Sequence, residues 1–205
     1  RVVLLASEGD SFTSGNDLAD FAAAASGGEP PAAGGFIEAI AQFPKPLVAG
    51  VSGLAVGVGT TMLLHCDLVF VANDAKLTTP FVNLALVPEA ASSMLMPARI
   101  GHVRAFGMFA LGEALTGAQA AQLGVANVAL PTAEVIPAAR AAASKLAHRP
   151  PGAVMAAKKL MRDGETILKQ LRTEGAIFGE RLRSAEAMEA FMAFQQKRAP
   201  DFSRF

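Results

Sequence analysis

Three stretches of this sequence carry the residue types that acid-base chemistry on a carbonyl substrate needs. They are Gly9-Asp10-Ser11-Phe12-Thr13-Ser14-Gly15-Asn16-Asp17-Leu18, then Gly53-Leu54-Ala55-Val56-Gly57-Val58-Gly59, then Thr79-Pro80-Phe81 running on to Pro88-Glu89. The first two read as turns that open helices. Free backbone N–H groups at a helix start, with the helix dipole behind them, stabilise an oxygen that becomes negative during reaction. Two such turns brought together would make an oxyanion hole. The third stretch ends in a carboxylate, Glu89, among Leu84, Leu86, Val87, Met94 and Leu95. An apolar pocket there would raise its pKa and make it a better base. Each signal has a plainer alternative. Ser-Gly-Asn-Asp is a common capped turn, and Pro-Glu is a common surface turn. Gly57-Val58-Gly59-Thr60-Thr61-Met62 lacks the third glycine of a dinucleotide fingerprint, which makes a Rossmann reading poor.

The elements that must position these residues alternate along the first half of the chain. Val2 to Ala6, Pro46 to Ser52, Asp67 to Ala72 and Lys76 to Thr78 read as strands, and helices between them predict an α/β layer structure. Ala22 to Gly35, rich in Ala, Gly and Pro, reads as a mobile loop placed to act as a lid, before a short helix at Phe36 to Phe43. Thr116-Gly117-Ala118-Gln119 is an N-cap opening a short helix that stops at Gly124, and Val125 to Leu130 is a last strand. Four helices are predicted after that: Pro131 to Ala147, Pro151 to Arg162, Glu165 to Arg183 and Ala185 to Lys197. The chain thus divides into a core over 1–130 and a helical region over 131–205. In the last helix Met188, Phe191, Met192 and Phe194 form an apolar stripe that must bury against its own body or against a neighbouring subunit, the contact we expect.

Composition narrows the function classes. The 205 residues are 52% hydrophobic and 18% charged, which suits one globular domain with a real core. Eighteen Lys plus Arg balance eighteen Asp plus Glu, so no net charge draws the chain to nucleic acid or to an anionic membrane. Pro46 to Leu64 is the longest apolar candidate for a span, and its glycines and polar residues argue against it. The single cysteine, Cys66, excludes an internal disulfide, and His65, His102 and His148 lack metal-ligand spacing. Cys66 and His65 read as small buried residues of the core, and Arg99, Arg104, Lys158 and Lys159 as solvated faces. A reducing cytoplasm suits this composition, and Ser203-Arg204-Phe205 is not the Ser-Lys-Leu peroxisomal address.

Taken together, Ser14-Gly15-Asn16-Asp17-Leu18, Phe43-Pro44-Lys45-Pro46-Leu47, and Thr79-Pro80-Phe81 followed by Pro88-Glu89 and Ser92-Ser93 resemble the crotonase (enoyl-CoA hydratase/isomerase) superfamily. Within it they are most like peroxisomal-type Δ3,Δ2-enoyl-CoA isomerases. The resemblance runs from Arg1 to the C-terminus. It implies a spiral of ββα units with a C-terminal helical region used in trimerisation, as a homotrimer or a dimer of trimers. It places the oxyanion-hole N–H groups on Asn16 and Val58, and sets Ser14, Asn16, Asp17 and Leu18 against the CoA moiety. Phe194 and Lys197 match positions that in relatives reach a neighbouring subunit's CoA. Phe81, Leu84, Leu86 and Val87 are expected to line the acyl pocket.

The two glutamates that enoyl-CoA hydratases use on water fall here on Thr61 and Phe81, and Glu89 matches the isomerases' catalytic glutamate. Moving a double bond requires only removal of a proton from C2 and its return at C4, for which one carboxylate suffices. The expected activity is therefore isomerisation of 3-enoyl-CoA to 2-enoyl-CoA, with no metal or redox cofactor and coenzyme A only as part of the substrate. Another crotonase reaction on an acyl-CoA, or non-catalytic binding of a CoA thioester, are the alternatives. Relatives carry a first strand, a further strand and a helix ahead of the point that matches Arg1; either the sequence is a piece of a longer chain, which we expect, or the protein has lost that part.

Overall fold

Short runs of valine, leucine and alanine form two sheets. In chain order the strands are β1 (Val3–Ala6), β2 (Leu47–Val51), β3 (Leu54–Val56), β4 (Leu68–Ala72), β5 (Lys76–Thr78), β6 (Leu115–Thr116) and β7 (Val128–Leu130). The helices are α1 (Leu18–Ala25), α2 (Ala33–Ala41), α3 (Val58–Thr61), α4 (Ser92–Ile100), α5 (His102–Leu111), α6 (Gly117–Gln122), α7 (Thr132–Ala147), α8 (Pro151–Met161), α9 (Gly164–Leu182) and α10 (Ala185–Gln195). The computed structural model describes residues 1–25, 27–28 and 33–205. β1-β2-β4-β7 make one parallel sheet, and β3-β5-β6 a second in which β5 and β6 run antiparallel. Every residue of β2 is buried, as expected of a parallel strand covered on both faces. α7 supplies one cover, packing on β1, β2 and β4.

A corner between the sheets is the repeating device. β2 turns through Ser52-Gly53 into β3 and on into α3, while β4 turns through Asn73, Asp74 and Ala75 into β5 and on towards α4. This is the ββα repeat that the sequence resemblance implies. At the first corner Gly53 adopts φ +66, and a Cβ there would lie 1.8 Å from the carbonyl oxygen of Asp10. Only glycine lets the two turns pass this closely.

Elements with their own sequence signals match expectation within a residue or two. Thr116 caps α6 in a reciprocal capping box with Gln119, and the last four helices are present. Other expectations need correction. The stretch expected as a loop over 22–35 is helical at both ends, in α1 and α2; residues 26 and 29–32 of it lie outside the described residues. Within the apolar stripe of α10, Phe191 is buried against the chain's own core, while Met188, Met192 and Phe194 are exposed. Helix periodicity places residues three and four apart on one face, and this stripe is wide enough to serve two directions. Lys158 does not stand on a solvated face: it donates to Asp67 at 2.7 Å and to the Lys45 carbonyl at 2.9 Å. Arg99 is exposed, as expected, and its guanidinium donates to the carbonyls of Leu64 and Gly124. Among the described residues no helix is long and apolar enough to cross a membrane.

Gly53→Ala is expected to lower unfolding stability by more than about 2 kcal/mol, since it combines a left-handed backbone with a backbone clash. Chemical denaturation of both proteins checks this, and an unchanged midpoint would contradict the close approach.

Candidate active site

The turns that carry Asn16 and Val58 are tied to each other. Thr13 pairs with Ala55 in a parallel bridge, the Val56 N–H donates to the Thr13 carbonyl at 3.0 Å, and the Phe12 N–H donates to the Leu54 carbonyl at 2.9 Å. Gly15, with φ +86, brings its Cα so close to this strand that a Cβ would sit 2.6 Å from the Val56 oxygen. Val58 is the first residue of α3, and such an N–H has no carbonyl four residues back to bond. Among the described residues, neither the Asn16 nor the Val58 N–H donates to any protein group.

Both residues line one cavity of about 1080 Å³, together with Ser14, Asp17 and Leu18. Phe81, Leu84 and Leu86 form another part of its wall, Glu89 opens onto it, and Phe194 of α10 closes one side. One residue expected in the acyl pocket is not part of the wall. Val87 is half-buried just beyond Leu86, because consecutive residues of extended chain project to different sides. Lys197 is exposed past the end of α10, where the chain leaves the helix through a left-handed backbone at φ 53. Phe194, expected to reach a neighbour's CoA, lines the cavity of its own chain.

Glu89 occupies an unusual environment for a carboxylate. The residue is half-buried, but its Oε2 is fully buried and accepts no hydrogen bond. Oε1 accepts one, from the Thr61 hydroxyl at 2.5 Å. Burial pushes its pKa up to about 7; the Thr61 hydrogen bond opposes this, and the negative charge of Glu174 adds to it. A carboxyl that titrates near neutrality can both take and return a proton at physiological pH.

The turn after Glu89 is held from two sides. Ala90 and Ala91 both adopt left-handed backbone, with φ 59 and 56, which costs non-glycine residues energy unless the surroundings fix it. On one side His65 lies 2.8 Å from the Ala90 carbonyl through Nε2, while Arg162 meets Nδ1 at 2.7 Å and the His65 carbonyl at 3.0 Å. Arginine only donates, so Nδ1 accepts and Nε2–H donates to Ala90. Burial lowers the His65 pKa to about 4, the Ala90 bond opposes that, and the Arg162 charge contributes to it. His65 is a neutral structural group, as its sequence context suggests. On the other side the buried Glu174 of α9 accepts from the N–H groups of Ala91 at 2.5 Å and Ser93 at 2.9 Å, and from the Ser93 hydroxyl. Cys66 is buried and its thiol is pushed up to about 12, first by burial and then by Asp67, so it is not a nucleophile.

Sequence reasoning missed α9 as a cavity wall. Leu171, Gly175, Phe178, Gly179 and Leu182 line the cavity, as does Ile37 of α2. A signal existed for Glu174: it interrupts the stripe Ile167, Leu171, Phe178, Leu182 at helical spacing, where a solvent-facing carboxylate would not stand.

The chain matches the family model described as enoyl-CoA hydratase/isomerase over residues 1–204. Solved structures agree with this. A Pseudomonas aeruginosa protein, OdaA, is 47% identical with a TM-score of 0.88 over 95% of this chain and 80% of its own. An enoyl-CoA hydratase/isomerase from Pseudoalteromonas atlantica is 38% identical with a TM-score of 0.91 over 99% of this chain and 82% of its own. Among curated relatives, a probable enoyl-CoA hydratase of Bacillus subtilis is 32% identical over 98% of this chain and 81% of that protein. Enoyl-CoA delta isomerase 2 of Rattus norvegicus is also 32% identical, over 94% of this chain and 51% of that protein. The chain belongs to the enoyl-CoA hydratase/isomerase family, the crotonase superfamily, whose members are enzymes of CoA thioesters that need no further cofactor.

The raised pKa of Glu89 has a cost in stability. A carboxyl that titrates near 7 folded and near 4.5 unfolded favours the native state below pH 4.5, and loses that contribution as pH rises through 7. Glu89→Gln removes the penalty, so it is expected to stabilise the protein at pH 8 relative to wild type by about 3 kcal/mol more than at pH 4.5. Equal differences at the two pH values in thermal unfolding would contradict the buried carboxylate.

Proposed function

We propose that this chain is an enoyl-CoA isomerase that converts 3-enoyl-CoA to 2-enoyl-CoA with Glu89 as its single proton shuttle. The observation that carries the reading is the solitary position of Glu89. The residues matched to the hydratases' two glutamates are Thr61, spent on a hydrogen bond to Glu89, and Phe81, whose ring packs on Phe109 at 6.1 Å. Among the described residues the other carboxylate on the cavity wall, Asp17, is exposed and accepts from the Ala19 N–H at 2.9 Å at the start of α1. Among the described residues no second base is therefore placed to activate a water.

In this reading the thioester carbonyl sits between the N–H groups of Asn16 and Val58, and the CoA moiety lies along Ser14, Asn16, Asp17 and Leu18. Phe81, Leu84 and Leu86 border the acyl chain. As Glu89 removes the C2 proton, the electron pair moves towards the thioester oxygen and the resulting dienolate spreads from C2 to C4. Each of the two donors is worth ~3 kcal/mol to that charge. Protonated Glu89 then returns the proton at C4, which leaves the double bond between C2 and C3 and the carboxylate restored. Protons and electrons balance within substrate and glutamate. The hydratase names among the relatives favour a second reading, hydration of a 2-enoyl-CoA. It lacks a group to activate water.

The exposed Met188, Met192 and Phe194 of α10 support an assembly of several copies, a homotrimer or a dimer of trimers. Sedimentation at micromolar concentration is expected to show an oligomer, and a stable monomer would contradict it. Glu89→Gln keeps the size and one acceptor oxygen but cannot take the proton. It is expected to abolish isomerisation of 3-enoyl-CoA, seen as loss of the conjugated product's absorbance, with acyl-CoA affinity retained. Wild type should hydrate 2-enoyl-CoA negligibly. Efficient hydration, or a Glu89→Gln variant that keeps most of its turnover, would overturn the single-base reading.

A further inference from the structure

We propose that Glu174, on α9 and far from Glu89 in sequence, is the positioning residue that sets the geometry of Glu89. The inference rests on Glu89 being the proton shuttle, as argued above. The need for such a residue is visible in the local backbone. α4 begins directly after the turn Glu89-Ala90-Ala91, and its N-cap is Ala91, which has no side chain to accept a hydrogen bond. The first N–H groups of a helix want an acceptor, normally a Ser, Thr, Asp or Asn at the cap. Here the acceptor arrives from another helix. The Glu174 carboxylate takes the Ala91 N–H on Oε2 at 2.5 Å and the Ser93 N–H on Oε1 at 2.9 Å, and the Ser93 hydroxyl donates to the same Oε1. Gln170, one turn earlier on α9, donates to that hydroxyl at 2.8 Å and fixes its direction.

Three features make this more than a structural cap. First, Ala91 is the second of two consecutive left-handed residues directly after Glu89, so whatever holds its N–H holds the turn that aims the Glu89 side chain. Second, Glu174 is itself 4% exposed, and the hydrogen bonds that both its oxygens accept from this turn offset the cost of burying it. Third, its charge lies near enough to Glu89 to raise that group's affinity for a proton. The other charged or titratable groups around Glu89 do not do this work. His65, across the turn, is held neutral by burial, and Asp17 and Arg183 stand on the cavity wall. α9 therefore contributes both the apolar wall of the cavity and the charged anchor of the turn.

Two substitutions separate anchor from charge. Glu174→Gln removes the charge and exchanges one acceptor for a donor. Glu174→Asp keeps the charge but withdraws it from Ala91 and Ser93 by one methylene. The titration of Glu89 is read directly from its side-chain carboxyl carbon signal in selectively labelled protein, assigned by its loss in Glu89→Gln. This readout does not depend on which reaction the enzyme catalyses, so failure of the isomerase reading and failure of the anchor are distinguishable. The expected result for Glu174→Gln is a Glu89 titration moved to lower pH, with turnover of 3-enoyl-CoA reduced at least tenfold and KM changed less than threefold. For Glu174→Asp, turnover falls similarly while the titration stays near the wild-type position. A Glu89 signal that titrates as in wild type in Glu174→Gln, with turnover preserved and only thermal stability reduced, would make Glu174 a helix cap and nothing more. Loss of folding in both variants would equally assign it to stability alone and overturn the proposal.

Discussion

A carboxylate held in an apolar cavity with one hydrogen-bond donor is the constraint on which the rest of this structure depends. Left alone, such a group would turn towards water or unfold its surroundings, because an ion with an unsatisfied oxygen is costly to bury. Glu89 stays where it is because the turn that follows it is held from two directions. The Ala90 carbonyl is held by His65, itself held by Arg162, and the Ala91 N–H is held by Glu174. These partners come from the turn after α3, the segment before α9, and α9. The helical C-terminal region is thus as much a part of the surroundings of Glu89 as the sheets that precede it.

The same logic of forced proximity governs the opposite wall. The N–H groups of Asn16 and Val58, the proposed oxyanion donors, are ordinary backbone groups left without a protein acceptor among the described residues. Freedom comes from position, since Val58 opens a helix. The turns that carry them approach closely because of glycine: Gly15 and Gly53 sit where a Cβ would collide with the backbone of the neighbouring turn. Donors fixed in advance of the reaction need no reorganisation as charge develops, which is the main source of their effect.

What the sequence made legible divides along the range of the interactions involved. Strands β2 and β4, the α6 capping box, and helices α7 to α10 carry local signals, and they were read within a residue or two. Asn16, Val58, Phe81, Leu84, Leu86 and Glu89 were brought to one cavity as the family resemblance implied, because that resemblance encodes long-range placement. What escaped was long-range and carried by no motif. Helix α4 is capped by a residue of α9, so Ala91 gave no start signal. His65 and Arg162 find each other across 97 positions. Val87 was expected at the pocket by sequence neighbourhood, and it is not part of the wall. Lys158, expected on a solvated face, anchors the Lys45 carbonyl and the Asp67 carboxylate.

The central claim is that one buried carboxyl, titrating near neutrality, does all the proton transfer. The pH dependence of kcat/KM for conversion of 3-enoyl-CoA to 2-enoyl-CoA tests it most directly, since this ratio reports ionisations of the free enzyme. With Glu89 active as the carboxylate and its pKa at about 7, the ratio should rise with unit slope from pH 5 and level off above neutrality, with no second ionisation required. A profile flat between pH 5 and 9, or a bell that demands a second titrating group, would contradict it.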